Sequence, residues 1–129
     1  MSLSDHWLHA YRRSQYAAAG IQFRIGRRSA ALDGLLAGMG TRRAVLITAW
    51  NPRSRIMPPA WNTRMMARLT GALRGHSVLP GSSGAGRHFE HQLLAAVPTR
   101  WAGHLGRRFR QNAIVDLRAG QKPRLLALV

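Results

Sequence analysis

The chain has 129 residues, 46% of them hydrophobic, and sets 20 Lys and Arg against four Asp and Glu for a formal net charge of +16. This length is expected to form one domain, 1–129, that removes roughly two thirds of its unfolded surface from water. With no cysteine, disulfides, thiol nucleophiles and cysteine-ligated metal centres are excluded, and the longest apolar stretches, 44–50 and 93–97, fall far short of the roughly 20 residues of a membrane helix.

Near the N-terminus Ser4 is placed to cap a short amphipathic helix carrying Trp7, Leu8 and Tyr11 at helical spacing, so residues 1–19 read as a helical segment packed on the domain. Arg12 and Arg13 are followed by no signal-type hydrophobic run, which makes cytoplasm the expected location. IQFRI, 21–25, alternates apolar and polar side chains up to Gly26, as a half-buried strand does. Ser29 can cap a helix with Leu32, Leu35, Leu36 and Met39 on one face and Gly40 as its stop. AVLITAW, 44–50, reads as a central strand covered on both faces, with Trp50 buried.

A second helix is expected from about Pro59 to Arg74, with Trp61, Met65, Leu69 and Leu73 inward and Arg64, Arg68 and Arg74 outward. A short strand at 76–79 then leads into PGSSGAG, a flexible loop by composition. FEHQLLAAV is compatible with strand or helix and is read as a strand, because Pro98 then opens a helix carrying Trp101, Leu105 and Phe109. AIVDL and RLLALV, separated by RAGQKP, form a terminal hairpin. The expected fold is a single small α/β or α+β sandwich. Its sheet is mixed and partly antiparallel, with about five or six strands and three or four helices.

Motif tests narrow the chemistry. GSSGAGRH, 81–88, has the glycine spacing of a phosphate-binding loop, but Arg87 and His88 replace its lysine and its metal-ligating hydroxyl. His6 with His9, and His88 with His91, are spaced to share a helical face, yet neither pair has a third ligand at a recognisable spacing, so no metal site and no cofactor is expected. Glu90 and Asp116 are the acids available for catalysis, and each is expected to pair with a neighbouring arginine. Ser54 lies in no nucleophile elbow.

The strand-turn ITAWNPRS, the Asn62 and Arg64 of WNTR, Glu90, and the QNAIV of 111–115 together resemble an uncharacterised bacterial family, domain-of-unknown-function family number 3293. The similarity runs from about Tyr16 to the last strand and implies a small α/β domain of bacterial cytoplasm, without an established activity, cofactor or partner. Around Glu90 the chain departs from the family's pattern. Phe89 stands where a tryptophan is usual, and His91 and Gln92 where an acid or serine follows.

Asn51, Ser54, Asn62, Gln111 and Asn112 share one property with Glu90: all are polar groups at the ends of apolar segments, where burial without partners costs about 1–3 kcal/mol each. Two readings follow. In one, Asn51 caps the turn before Pro52, while Gln111 and Asn112 satisfy backbone groups. In the other, these residues with Arg53 and Arg64 line a pocket for an anionic or nucleotide-like ligand near 51–64. The excess of arginine supports a basic nucleic-acid-associated accessory protein as an alternative, and Glu90 as a general base gives a second alternative, a small hydrolase-like enzyme. Oligomeric state is open.

Overall fold

Alternating burial along Gln15–Ala18, where Tyr16 and Ala18 turn inward, makes a strand (β1) of a segment the sequence reading took as part of the helical N-terminus. The structure, a computed structural model, describes residues 5–85 and 88–129. After β1 come β2 (Ile21–Phe23), helix α2 (Ala30–Gly38), β3 (Arg43–Ile47), α3 (Pro59–Ala72), β4 (Val78–Ala85), β5 (His88–Ala95), α4 (Thr99–Arg108), β6 (Ala113–Arg118) and β7 (Arg124–Ala127); helix α1 (Asp5–Arg13) precedes them. The proposed cap at Ser4 and the Arg87 of the glycine motif lie outside the described residues, as does the side chain of His88.

All seven strands join one sheet in the order β2-β1-β4-β5-β3-β6-β7, and every neighbouring pair is antiparallel. Among the described residues the architecture is therefore α+β with four α-helices. It has more strands than expected and, among the described residues, none of the parallel pairing of a mixed sheet. The overlooked β1 accounts for the miscount, and PGSSGA, expected as a loop, instead extends the strand expected at 76–79 into β4.

Small residues in β4 are a packing requirement. A Cβ on Gly81 would lie 2.7 Å from the Ala17 carbonyl oxygen and 2.9 Å from Leu46 Cδ1. Pro80 is tolerated because it lies one residue beyond the paired stretch of β1: its carbonyl accepts from Ala19, so its ring nitrogen faces the point where β1 turns away.

Side chains of β3 alternate between two cores. Ala44 and Leu46 pack with Leu32 and Leu36 of α2, Tyr16, Phe23 and Leu94. Val45 and Ile47 pack on the other face with Leu69 and Leu73 of α3 and Ala102 and Leu105 of α4. The expected central strand covered on both faces is present, and Ser29 caps α2 by accepting from the Leu32 amide at 3.1 Å. The tryptophans are less buried than expected. Trp50 and Trp61 are half-buried and Trp101 is exposed, because the inward face of α3 is completed by Asn62 and that of α4 by Ala102 and Gly106. No helix among the described residues is long and apolar enough to cross a membrane.

Candidate functional site

Beyond β3 the chain must turn sharply under the sheet end, and the side chains of 48–54 supply the hydrogen bonds that the strand ladder no longer does. Thr48 Oγ1 donates to the His91 carbonyl at 2.6 Å and accepts from the Trp50 amide at 2.9 Å. Asn51 then adopts a left-handed backbone, φ 45°, a region asparagine enters more readily than most residues. Arg53 and Ser54 follow at φ 53° and 59°.

Asn51 is a hub. Its amide N–H donates to Asn62 Oδ1 at 3.0 Å, and Asn62 Nδ2 returns a bond to Asn51 Oδ1 at 2.8 Å. The same Oδ1 accepts from the Met57 amide at 3.0 Å, tying the two ends of the turn together. Asn51 Nδ2 donates to Glu90 Oε2 at 3.2 Å. Asn51 thus fastens its own turn and reaches Glu90 of β5 with the same side chain.

Glu90 forms no ion pair among the described residues, contrary to the expected salt bridge. The sheet register fits this: Tyr16, Ser83 and Glu90 stand in one row across β1, β4 and β5, on the face closed by α2, and no arginine among the described residues pairs with them there. Burial pushes the Glu90 carboxyl up to about 7, against the opposing hydrogen bond from Asn51. Burial, with the neighbouring Tyr11 and Glu90, likewise holds the Tyr16 phenol above its ordinary range. Asp116 does behave as expected of an acid in so basic a chain. Burial alone would raise it, but bonds from Thr99 (2.6 Å), Arg124 (2.8 Å) and Arg118 (3.2 Å) hold its carboxyl below the usual value.

A second polar cluster adjoins the first. Tyr11 of α1 and Ser54 are hydrogen-bonded through their hydroxyls, and Asn112 Nδ2 donates to both, at 3.1 and 3.2 Å. Tyr16 Oη donates to the Tyr11 carbonyl at 2.7 Å and so connects this cluster to the Glu90 row. Gln111 serves the backbone, donating to the carbonyls of Trp50 and Phe109 at 3.2 and 3.3 Å.

Of the residues singled out in the sequence, Asn51, Asn62 and Glu90 therefore meet directly, and Ser54 and Asn112 meet directly and share Tyr11 as a partner. Asn112 bonds side chains, not the backbone groups assigned to it. Arg64 does not join them: it is exposed on α3 and its side chain has no hydrogen bond or ion pair among the described residues. Tyr11 and Tyr16 were missed as site residues. Tyr11 was read only as an apolar contact of its helix, and nothing local to either tyrosine signals a partner on a distant turn.

Beside this network lies a concavity of about 840 Å³ between the 52–57 turn, α3 and the end of α4. Met57, Trp61, Met65 and Phe109 form its apolar surface, and Arg53, Arg55, Arg68, Arg108 and Arg110 surround it. None of these five arginines is paired with a carboxylate among the described residues. The Arg53 guanidinium instead donates to the Gln111 carbonyl at 2.9 Å. No group of three or more His, Cys, Asp or Glu among the described residues is arranged to hold a metal ion.

Residues 47–114, just over half of the chain, match the family model described as protein of unknown function (DUF3293). The chain belongs to this family. The DUF3293 match contains all of ITAWNPRS, every residue of the concavity, and Asn62, Glu90, Gln111 and Asn112; it is narrower than the resemblance first drawn from Tyr16 onward, and leaves Tyr11 and Tyr16 outside. No curated protein and no solved structure matches the chain significantly.

Proposed function

We propose that this DUF3293 protein binds an anionic, nucleotide-like ligand in the concavity beside the 52–57 turn. One observation carries the reading: five arginines from three separate segments converge on one aromatic and methionine-lined surface that no carboxylate among the described residues borders. A planar guanidinium donates bidentately to phosphate or carboxylate, and the faces of Trp61 and Phe109 suit a planar ring. The volume falls within the roughly 300–1,000 Å³ of ordinary ligand sites.

Helix-dipole neutralisation accounts for part of this charge, since Arg107 and Arg108 occupy the last turn of α4. It does not account for Arg53, Arg55 and Arg68, which other segments bring to the same place. On this reading Asn51, Asn62 and Glu90, which do not line the concavity, act as the fastening that holds its wall. The test is calorimetric titration at physiological salt with nucleoside mono- and diphosphates and with pyrophosphate. Micromolar binding that falls about tenfold or more in Arg68→Ala/Arg108→Ala is the expected result; binding that ignores the double substitution, or none with any of these probes, refutes the reading.

A further inference from the structure

The sheet presents a second surface, distinct from the concavity, that belongs to neither hydrophobic core among the described residues. Residues directly opposed across an antiparallel sheet share a face, so the register defines its composition. One row is Gln15 of β1, Gly84 of β4 and Phe89 of β5; the next is Gln22 of β2, Ala17, Ser82 and His91. Arg24, just beyond β2, extends the first row by donating to Gln15 Oε1 at 3.2 Å. These positions face away from α2, whereas α3 and α4 pack farther along, over β3, β6 and the far end of β5. None belongs to either core, and all are half-buried or exposed.

Aromatic rings border this floor. Phe89 is 56% exposed, and its ring stands edge-to-face with His91 at 5.0 Å. His91 in turn meets Trp50 at 4.9 Å. Phe89 contributes to no core, so its burial does not explain its presence. The floor beside it is Gly84, Ser82 and Ala17, small enough for a flat group to come close, and Gln15 and Gln22 provide amide donors and acceptors at its far side.

We propose that this open sheet face binds single-stranded nucleic acid, with bases stacked on Phe89 and His91 and the backbone drawn in by the chain's positive field. Charge selects the occupant. At +16, two copies of the chain repel each other, which opposes self-association through this face, whereas a polyanion is attracted. An aromatic row on a strand, with small and amide-bearing neighbours, suits unpaired bases, whose faces are free; a duplex keeps its bases stacked internally. The inference does not rest on the arginine-lined concavity and involves none of its residues.

The test is fluorescence anisotropy at about 150 mM salt with labelled dT12 and rU12, against a duplex of the same length, polyphosphate as unlabelled competitor, and phosphatidylserine vesicles by co-sedimentation. Binding of the single strands in preference to the duplex is expected, with polyphosphate a poor competitor. Phe89→Ala/His91→Ala should weaken it about tenfold or more, since alanine replacement at stacking sites removes substantial affinity per base, while Phe89→Tyr should retain it. Both side chains are exposed, so the double variant should melt with the wild type, and the arginine variant Arg68→Ala/Arg108→Ala should keep its single-strand preference over duplex. Equal competition by polyphosphate, or affinity unchanged in the double variant, would reduce the binding to bare charge and overturn the proposal. Vesicle binding that depends on Phe89 would assign the face to lipid, and a monomeric mass restored by Phe89→Ala would assign it to a second copy; either outcome overturns the proposal too.

Discussion

The Arg53 amide donates to the Arg110 carbonyl at 2.8 Å, and both residues hold left-handed backbones, φ 53° and 56°. This bond joins the turn after β3 to the end of α4, the two walls of the concavity, and sets both arginines on its border. Left-handed geometry costs a non-glycine residue about 1–2 kcal/mol, because its Cβ crowds the following carbonyl. Arg110→Gly should therefore be more stable than Arg110→Ala by about 1 kcal/mol, once the greater freedom of unfolded glycine is offset. Urea denaturation of the pair decides it, and equal midpoints would show that the junction is not strained as described.

Asn51 ties three segments at once, so its removal should cost more than the loss of an ordinary turn cap. In Asn51→Ala the buried Asn62 keeps the bond its oxygen accepts from the residue 51 amide but loses the acceptor of its Nδ2, and the Met57 amide loses its acceptor. A destabilisation of about 2–3 kcal/mol is expected from the groups left unpaired. A loss below about 0.5 kcal/mol in chemical denaturation would mean that water replaces these bonds and that the hub does not fasten the turn.

How far such residues could be read in advance depended on the range of their partners. Strand β3 and helix α2 were legible because local signals agree with the fold: an apolar run buried on both faces, and Ser29 placed to cap a helix carrying Leu32, Leu35 and Leu36. The strand Val78–Ala85 was legible only at its start, because Pro80, Gly81 and Gly84 favour a loop by propensity, and only β1 and the Leu46 side chain, distant in sequence, make a small residue obligatory at Gly81. Likewise, the end-of-segment placement of Asn51, Asn62 and Asn112 showed that they need partners, but not which ones. The partner of Glu90 was misjudged because abundance of arginine says nothing about which side of the sheet faces it. The arginines of the concavity became a group only when α3 and the end of α4 were folded against the 52–57 turn.

The same argument makes Gly81 sensitive. A methyl group there meets the Ala17 carbonyl, which belongs to the backbone of the adjacent strand and cannot swing aside as a side chain would. Gly81→Ala should destabilise by about 1–3 kcal/mol, the range of overpacked sites, and should increase amide exchange in β1 before β6. Substitution of exposed Gly34, around which a Cβ would find open space within α2, should instead stabilise, by about 1 kcal/mol. Matching effects at the two glycines would contradict the assignment of 78–85 to the sheet.

Glu90 gives stability a pH dependence of defined sign. Its carboxyl titrates near 7 in the folded chain against an ordinary value of 4.5, so between these values the folded state holds a proton that the unfolded state has released. Stability then falls as pH rises, because the unfolded state binds fewer protons across that interval. The contribution is complete below 4.5 and is lost as pH passes about 7. Asp116 acts in the opposite sense: its lowered carboxyl supports the fold at higher pH and loses that support only in acid, below its ordinary value of 3.8, so the two windows do not overlap. Glu90→Gln removes the proton exchange while keeping an oxygen to accept from Asn51. The melting temperature of the wild type should drop relative to Glu90→Gln between about pH 5 and 7.5, the difference widening until the folded carboxyl itself ionises near 7 and staying constant above. Parallel melting curves for the two proteins throughout this range would mean that Glu90 is solvated in the folded state and that the row formed with Tyr16 and Ser83 is open to water.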